Sequence, residues 1–223
     1  MKNKLFIGLM LIGFNTSRAQ EVEVLTSSSS VRDKVVELNI TFAPPPNAEV
    51  KKARKLLYSK VGRAVCSGVF ISPWGHILTA KHCVQDSTNI DVLTYDGRIY
   101  NAKIRVQAEK ADLAVIQIGH FGTSYFALAP IIREGEPICT LGSPLGLTRA
   151  VTKGVVSKIL GDIMVLDCTA VPGNSGGPVL NSKNELVGIV SDMIIVFLGP
   201  AHLTVAQTVD SIRFLFYEIA GGK

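Results

Sequence analysis

The sequence contains no CxxC pair, no dense lysine and arginine cluster interleaved with aromatics and no internal repeat, and its N-terminal apolar run is too short to cross a bilayer. Each absence closes off a class of function. Without CxxC the four cysteines do not read as a zinc or dithiol redox motif. Without a basic, aromatic-rich stretch there is no footprint for nucleic acid, and Lys51-Lys52-Ala53-Arg54-Lys55, the one basic run, reads as a solvated helix face. Gly173-Asn174-Ser175-Gly176-Gly177 has the letters of a GxSxG elbow but runs into an apolar strand instead of joining a strand to a helix, which argues against an esterase of that plan.

Charge is also sparse, at 18% against 47% hydrophobic, a balance that lets a chain bury a real core rather than stay disordered. A length of 223 residues suits one all-β domain, expected here over residues 61–223. Lys2 and Lys4, the ten apolar-rich residues Leu5–Phe14 and Ser17-Arg18-Ala19 have the order of an export signal over residues 1–19, with cleavage after Ala19. The run is half the roughly 20 residues of a membrane span, so no stable anchor is expected after signal removal, and the product is expected to be secreted or periplasmic. Removal takes away Lys2, Lys4 and Arg18 and no acidic side chain, lowering the formal charge from +5 to +2.

Residues 20–60 read as an N-terminal arm. It contains an alternating run that can form a strand, Val35–Phe42, a stiff Pro44-Pro45-Pro46 break and a short helix over about 48–60 capped by Asn47. From residue 61 onward about ten short Val- and Ile-rich runs alternate with Gly, Pro, Asn and Asp, a pattern for an all-β sandwich or barrel. Asp96-Gly97 marks a hairpin. A last helix is expected over about 205–217, with Val205, Val209, Ile212 and Leu215 or Phe216 on one face.

The sharpest chemical signal is Pro172-Gly173-Asn174-Ser175-Gly176-Gly177-Pro178, a serine in a glycine-rich turn that runs into an apolar strand. Such a turn can aim successive N–H groups into one concavity, as an oxyanion requires, and the amides of Gly173 and Ser175 are the candidates. A serine hydroxyl is a weak nucleophile until a base takes its proton, and a carboxylate must orient that base. Of the four histidines, His82 follows the apolar strand Ile77-Leu78-Thr79, whereas His76, His120 and His202 lack that frame. Asp112 opens Leu113-Ala114-Val115-Ile116, where a charge is costly unless paired, whereas Asp86, Asp91 and Asp96 read as solvated. Four cysteines in an exported chain suggest two disulfides, with three possible connectivities; four buried free thiols are the alternative.

The order His, Asp, Ser within TAKHC, ADLAV and GNSGGP resembles the trypsin-like (chymotrypsin-fold) serine peptidases, and most of all their HtrA (Deg) branch. SGVFISPWGHILTAKHCV, VLTYDGRIYNAKI, ADLAVIQI, LGSPLGL, VTKGVVSKI, GNSGGPVLN and ELVGIVS follow one another in that family's order over about residues 62–215. The resemblance implies an all-β fold of two perpendicular six-stranded barrels, flanked here by a short N-terminal and a C-terminal helix. It implies a catalytic triad of His82, Asp112 and Ser175 in the cleft, with Gly173 and Ser175 as oxyanion amides. The chain ends 48 residues after Ser175, so a PDZ domain is not expected. A trimerisation arm is not recognisable, and the resemblance leaves oligomeric state open.

By likeness to secreted trypsin-like enzymes, Cys66 and Cys83 form a disulfide across the histidine loop, leaving Cys139 with Cys168 as a second bond. Asn174 stands where trypsin-like zymogens carry an Asp that pairs with a new N-terminus, so activation by cleavage is not expected. Thr169, Ala170, Ser191, Asp192 and Met193 fall where the primary pocket lies, and Thr169 replaces trypsin's Asp, which points to small or medium apolar residues before the cut. The function expected is peptide-bond hydrolysis on polypeptide substrates, with no cofactor or metal; the alternative is a catalytically silent peptide-binding pseudoprotease.

Overall fold

In a computed structural model, residues 29–43, 62–195 and 202–220 are described. The expected signal peptide and the helix at 48–60 lie outside them. Alternation of apolar and polar residues drives the strands, because successive side chains on a strand face opposite sides. After one helical turn, α1 (Ser29–Arg32), six strands close the first barrel: β1 (Val35–Phe42), β2 (Arg63–Phe70), β3 (His76–Thr79), β4 (Ser87–Leu93), β5 (Ile99–Gln107) and β6 (Ala114–Ile118). Six more close the second: β7 (Pro137–Gly142), β8 (Ala150–Leu160), β9 (Ile163–Leu166), β10 (Pro178–Asn181), β11 (Leu186–Ile195) and β12 (His202–Thr208). Every strand pairing in the two barrels is antiparallel. The two-barrel, all-β plan implied by the family resemblance is present.

Three apolar clusters hold this plan together. One fills the first barrel, with Leu38, Ile40, Phe70, Ile77 and Ile116. One fills the second, with Met164, Leu166, Val179 and Val190. The third lies between them and joins Val69, Leu78, Leu113 and Val115 to Leu141, Leu180 and Ile189. Burial of each such side chain contributes about 1.5–3 kcal/mol, so the middle cluster resists separation of the two units.

Two elements differ from the sequence expectation. Val35–Phe42, expected as a strand within an arm, is a strand over those residues, β1, but belongs to the first barrel and pairs with both β2 and β4. Six of its eight residues are buried, more than simple alternation suggests, because it is enclosed by barrel neighbours. The C-terminal helix begins later than expected. Residues 202–208 are strand β12, and helix α3 (Val209–Ile219) starts where the Thr208 side chain accepts the Ser211 amide. Val205 thus belongs to β12 rather than to the helix face. Ile212 and Leu215 of α3 pack into the cluster between the barrels. The Asp96-Gly97 turn does join β4 to β5, with Thr94 N–H donating to Arg98 O.

Candidate active site

Antiparallel pairing of β3 with β6 sets Thr79 opposite Ala114, so the residues just after β3 and just before β6 emerge at one end of the first barrel. Asp112 precedes β6 by two residues. His82 lies on a single helical turn, α2 (Lys81–Val84), that follows β3. They meet there. The His82 backbone N–H donates to Asp112 Oδ1 at 2.9 Å, and His82 Nδ1 lies 2.7 Å from Oδ2. One residue therefore occupies both carboxylate oxygens. A carboxylate only accepts, so Nδ1 carries the hydrogen and Nε2 of the neutral ring keeps its lone pair free.

The electrostatics agree with this geometry. Burial alone would push the Asp112 carboxyl up, but the two His82 hydrogen bonds, the His82 charge and the charge of Lys81 outweigh it and hold the group below its ordinary value. Lys81 Nζ is itself anchored on Ala108 O at 2.7 Å. Side-chain exposures of 39% for His82 and 27% for Asp112 leave the imidazole reachable from solvent while its orienter is screened.

Cys83, next in the chain, is disulfide-bonded to Cys66 on β2, with Cα atoms 6.3 Å apart. The Cys83 sulfur lies 3.7 Å from His82 Nε2 and 3.8 Å from the Ser175 carbonyl oxygen, so the bridge packs between base and turn. The expected bond between Cys139 and Cys168 is not formed; both are buried free thiols. The reason is direction: Cys139 packs in the cluster between the barrels, whereas Cys168 packs inside the second barrel. Burial pushes the Cys139 thiol up to about 12, with Lys153 opposing and Cys168 adding to the rise.

Ser175 reaches the same place from the second barrel, on the turn before β10. Gly173 and Gly176 take φ of +108° and +84°, and a Cβ on either would run into backbone, Ser143 O at Gly173 and Ser67 O at Gly176. Every peptide plane of the turn is pinned. Pro172 O accepts from Leu145 N–H at 2.9 Å and Asn174 O from Gly177 N–H at 2.9 Å. A trans peptide sets its N–H opposite its C=O, so these two bonds also aim the N–H groups of Gly173 and Ser175. Neither amide donates to a protein group among the described residues. Between them, Gly173 O accepts from Ser67 Oγ at 2.8 Å, Asn174 N–H donates to Val171 O at 3.0 Å, and Ser175 O accepts from Ser67 N–H at 2.8 Å. The turn thus presents two aimed, unused donors beside a half-buried serine. Ser175 Oγ makes no hydrogen bond among the described residues, and Asn174, 4% exposed, has a buried Oδ1 with none.

The residues expected to line the primary pocket fall into two segments on either side of β12. Thr169 is exposed and Ala170 buried just beyond β9, tied to β12 where Thr204 Oγ1 donates to Cys168 O at 2.6 Å. Ser191 is the extra residue of a bulge where β11 pairs with β12, and its Oγ donates to Val205 O at 3.3 Å. Asp192 is exposed, and Met193 pairs with Thr204. Of the other histidines, His76 bonds Ser72 Oγ at 2.8 Å and His120 stacks on Tyr100; neither joins the site. Sequence reasoning missed Ser67, Thr79 and Ser143. A lone polar residue in the apolar run Ala64-Val65-Cys66-Ser67-Gly68-Val69 was the available signal.

Residues 66–189, more than half of the chain, match the family of trypsin-like peptidase domains. Serine protease HTRA1A of Danio rerio is 35% identical over 162 residues, covering 65% of this chain and 34% of that protein. A DegP-like periplasmic serine endoprotease of Halomonas elongata is 32% identical over 163 residues, covering 69% and 34%. A serine protease of Synechocystis named HhoA is 33% identical over 141 residues, covering 55% and 35%. The chain spans about a third of the length of these relatives. With two closed barrels and a glycine-rich serine turn beside a histidine–aspartate pair, the chain belongs to the trypsin-like peptidase family.

Proposed function

We propose that the protein is a serine endopeptidase of HtrA type that cleaves polypeptides through an acyl-enzyme, with Ser175 as nucleophile, His82 as base and Asp112 as its orienter. The observation that carries this is the pairing of two aimed, unused amides with an imidazole whose Nε2 is left free. Ser175 Oγ adds to the scissile carbonyl carbon while His82 Nε2 takes the hydroxyl proton, and the carbonyl oxygen becomes an oxyanion held by the N–H groups of Gly173 and Ser175. Collapse expels the amine, which receives the proton from His82, and leaves an ester on Ser175. Water, losing a proton to the same nitrogen, then hydrolyses the ester and restores the serine. No cofactor or metal takes part in this scheme. Thr169, Ala170, Ser191, Asp192 and Met193 form the primary pocket in this reading, selecting small or medium apolar side chains, with no acid at Thr169 to attract Arg or Lys. The pattern of residues 1–19, together with the periplasmic relative, supports action after export.

One observation favours a silent, peptide-binding alternative: Ser175 Oγ makes no hydrogen bond to His82. Catalytic hydrogen bonds are often long in unliganded enzymes and tighten on substrate, so this alone does not outweigh the oxyanion turn. Casein hydrolysis by wild type and Ser175→Ala decides between them. Cleavage by the wild type and none by a folded alanine variant is expected. Cleavage by both, or by neither, would overturn the assignment.

A further inference from the structure

Ser67 is fully buried, in a strand whose neighbours are apolar, and a buried hydroxyl stays there only if it is hydrogen-bonded. Its groups are all engaged, and all within the turn or its supports. Oγ donates to Gly173 O at 2.8 Å and accepts from Ser143 N–H at 2.9 Å; its N–H donates to Ser175 O at 2.8 Å; its C=O accepts from Thr79 Oγ1 at 2.7 Å. β3 pairs with β2 only at Val69 and Phe70, so the edge of β2 at Ser67 is free to take the turn.

We propose that Ser67 is a positioning residue for catalysis, and that β2 couples the two halves of the site. This rests on the reading of Ser175 as the nucleophile. Ser67 clamps the Gly173–Asn174 and Ser175–Gly176 peptides, which alternate with the two that carry the oxyanion amides. Removing its hydroxyl orphans two buried backbone groups, Gly173 O and Ser143 N–H, in a turn whose glycine rotates at low cost. The Gly173–Asn174 peptide then turns to find a partner, and the amide aim set beside it is lost. The preceding residue, Cys66, points the other way, into the first-barrel core, and ends in the disulfide sulfur pair beside His82. Two consecutive residues of one strand, facing opposite sides, thus brace the base and the oxyanion turn.

The test is Ser67→Ala, with Ser67→Gly beside it, assayed per active site titrated with a fluorophosphonate. Both variants are expected to lose about 10- to 100-fold in kcat, with KM within about twofold, as for a donor displaced rather than deleted. Binding of a peptide aldehyde, whose adduct on Ser175 fills the oxyanion hole, should weaken in step with kcat. Ser67→Cys keeps a weak donor and should fall between wild type and alanine, and it serves also if the alanine variant does not fold. A kcat per titrated site unchanged in these variants, or a loss confined to KM, overturns the proposal while leaving the nucleophile in place. A wild type that the fluorophosphonate does not label overturns the nucleophile reading instead, and the Ser67 proposal with it.

Discussion

The two halves of the site are built from different material. On the first-barrel side, His82 is oriented by side chains: a carboxylate with both oxygens occupied and a disulfide packed beside the ring. On the second-barrel side, Ser175 is framed almost wholly by main chain, with glycines at positive φ and each peptide held by a backbone partner or by Ser67. A base must be neutral, tautomerically correct and aimed, which side chains can tune. An oxyanion needs fixed dipoles that do not reorganise, which pinned amides supply. The halves should therefore fail differently, the first through side-chain chemistry and the second through backbone geometry.

The largest expected effect that separates them is Asp112→Asn. An amide can donate to Nδ1 and favour the wrong tautomer, which in serine proteases costs about four orders of magnitude in turnover. Asp86→Asn, at an exposed position, is the control and should change turnover little. The same variant carries a stability signature. The Asp112 carboxyl is held below its ordinary value of 3.8, so its contribution is present above that pH and is lost as pH falls through the depressed folded value. Acid unfolding curves should accordingly flatten in the Asn variant below about pH 4, and identical acid limbs would contradict the assigned pairing.

Next comes Gly173→Ala, where the new Cβ meets Ser143 O. It should cost about 10²- to 10³-fold in kcat, with the His82–Asp112 pair undisturbed by NMR, because one oxyanion donor is displaced. If the imidazole signals shift as much as in Asp112→Asn, the two halves are not separable. Smaller again is removal of the bridge: Cys66→Ala with Cys83→Ala should lower stability by about 2–5 kcal/mol in denaturant and lower kcat in the folded fraction by less than Gly173→Ala does, since the Asp112 carboxylate still holds the ring. Least of all is a thiol count. Cys139 and Cys168 should not react with Ellman's reagent at pH 8 in the native protein, because both are buried and Cys139 is pushed up to about 12; both should react once unfolded.

The same contrast explains what was legible in the sequence. Strands β2 to β11, the serine turn and the histidine and aspartate at strand ends stand out because each sits at a sharp change from apolar run to polar turn. β1 reads as a strand of a separate arm because its pairing with β2 across 20 intervening residues leaves no local mark, and β12 is absorbed into a helix because Val205 and Val209 fit both periods. Cys139 and Cys168 were paired by elimination. Which face of a β7 strand points between the barrels is decided only by closure of the second barrel. Ser67 escapes notice because the partners of its hydroxyl, Ser143 and Gly173, lie 76 and 106 residues away in two different loops.

The central claim is that Ser175 is an activated nucleophile, and the most direct measurement is fluorophosphonate labelling followed by peptide mapping. One adduct per chain, on Ser175, is predicted for the wild type, with none in Ser175→Ala and a labelling rate reduced by orders of magnitude in His82→Ala. No adduct on the wild type, an adduct on another residue, or labelling that is indifferent to His82 would contradict it.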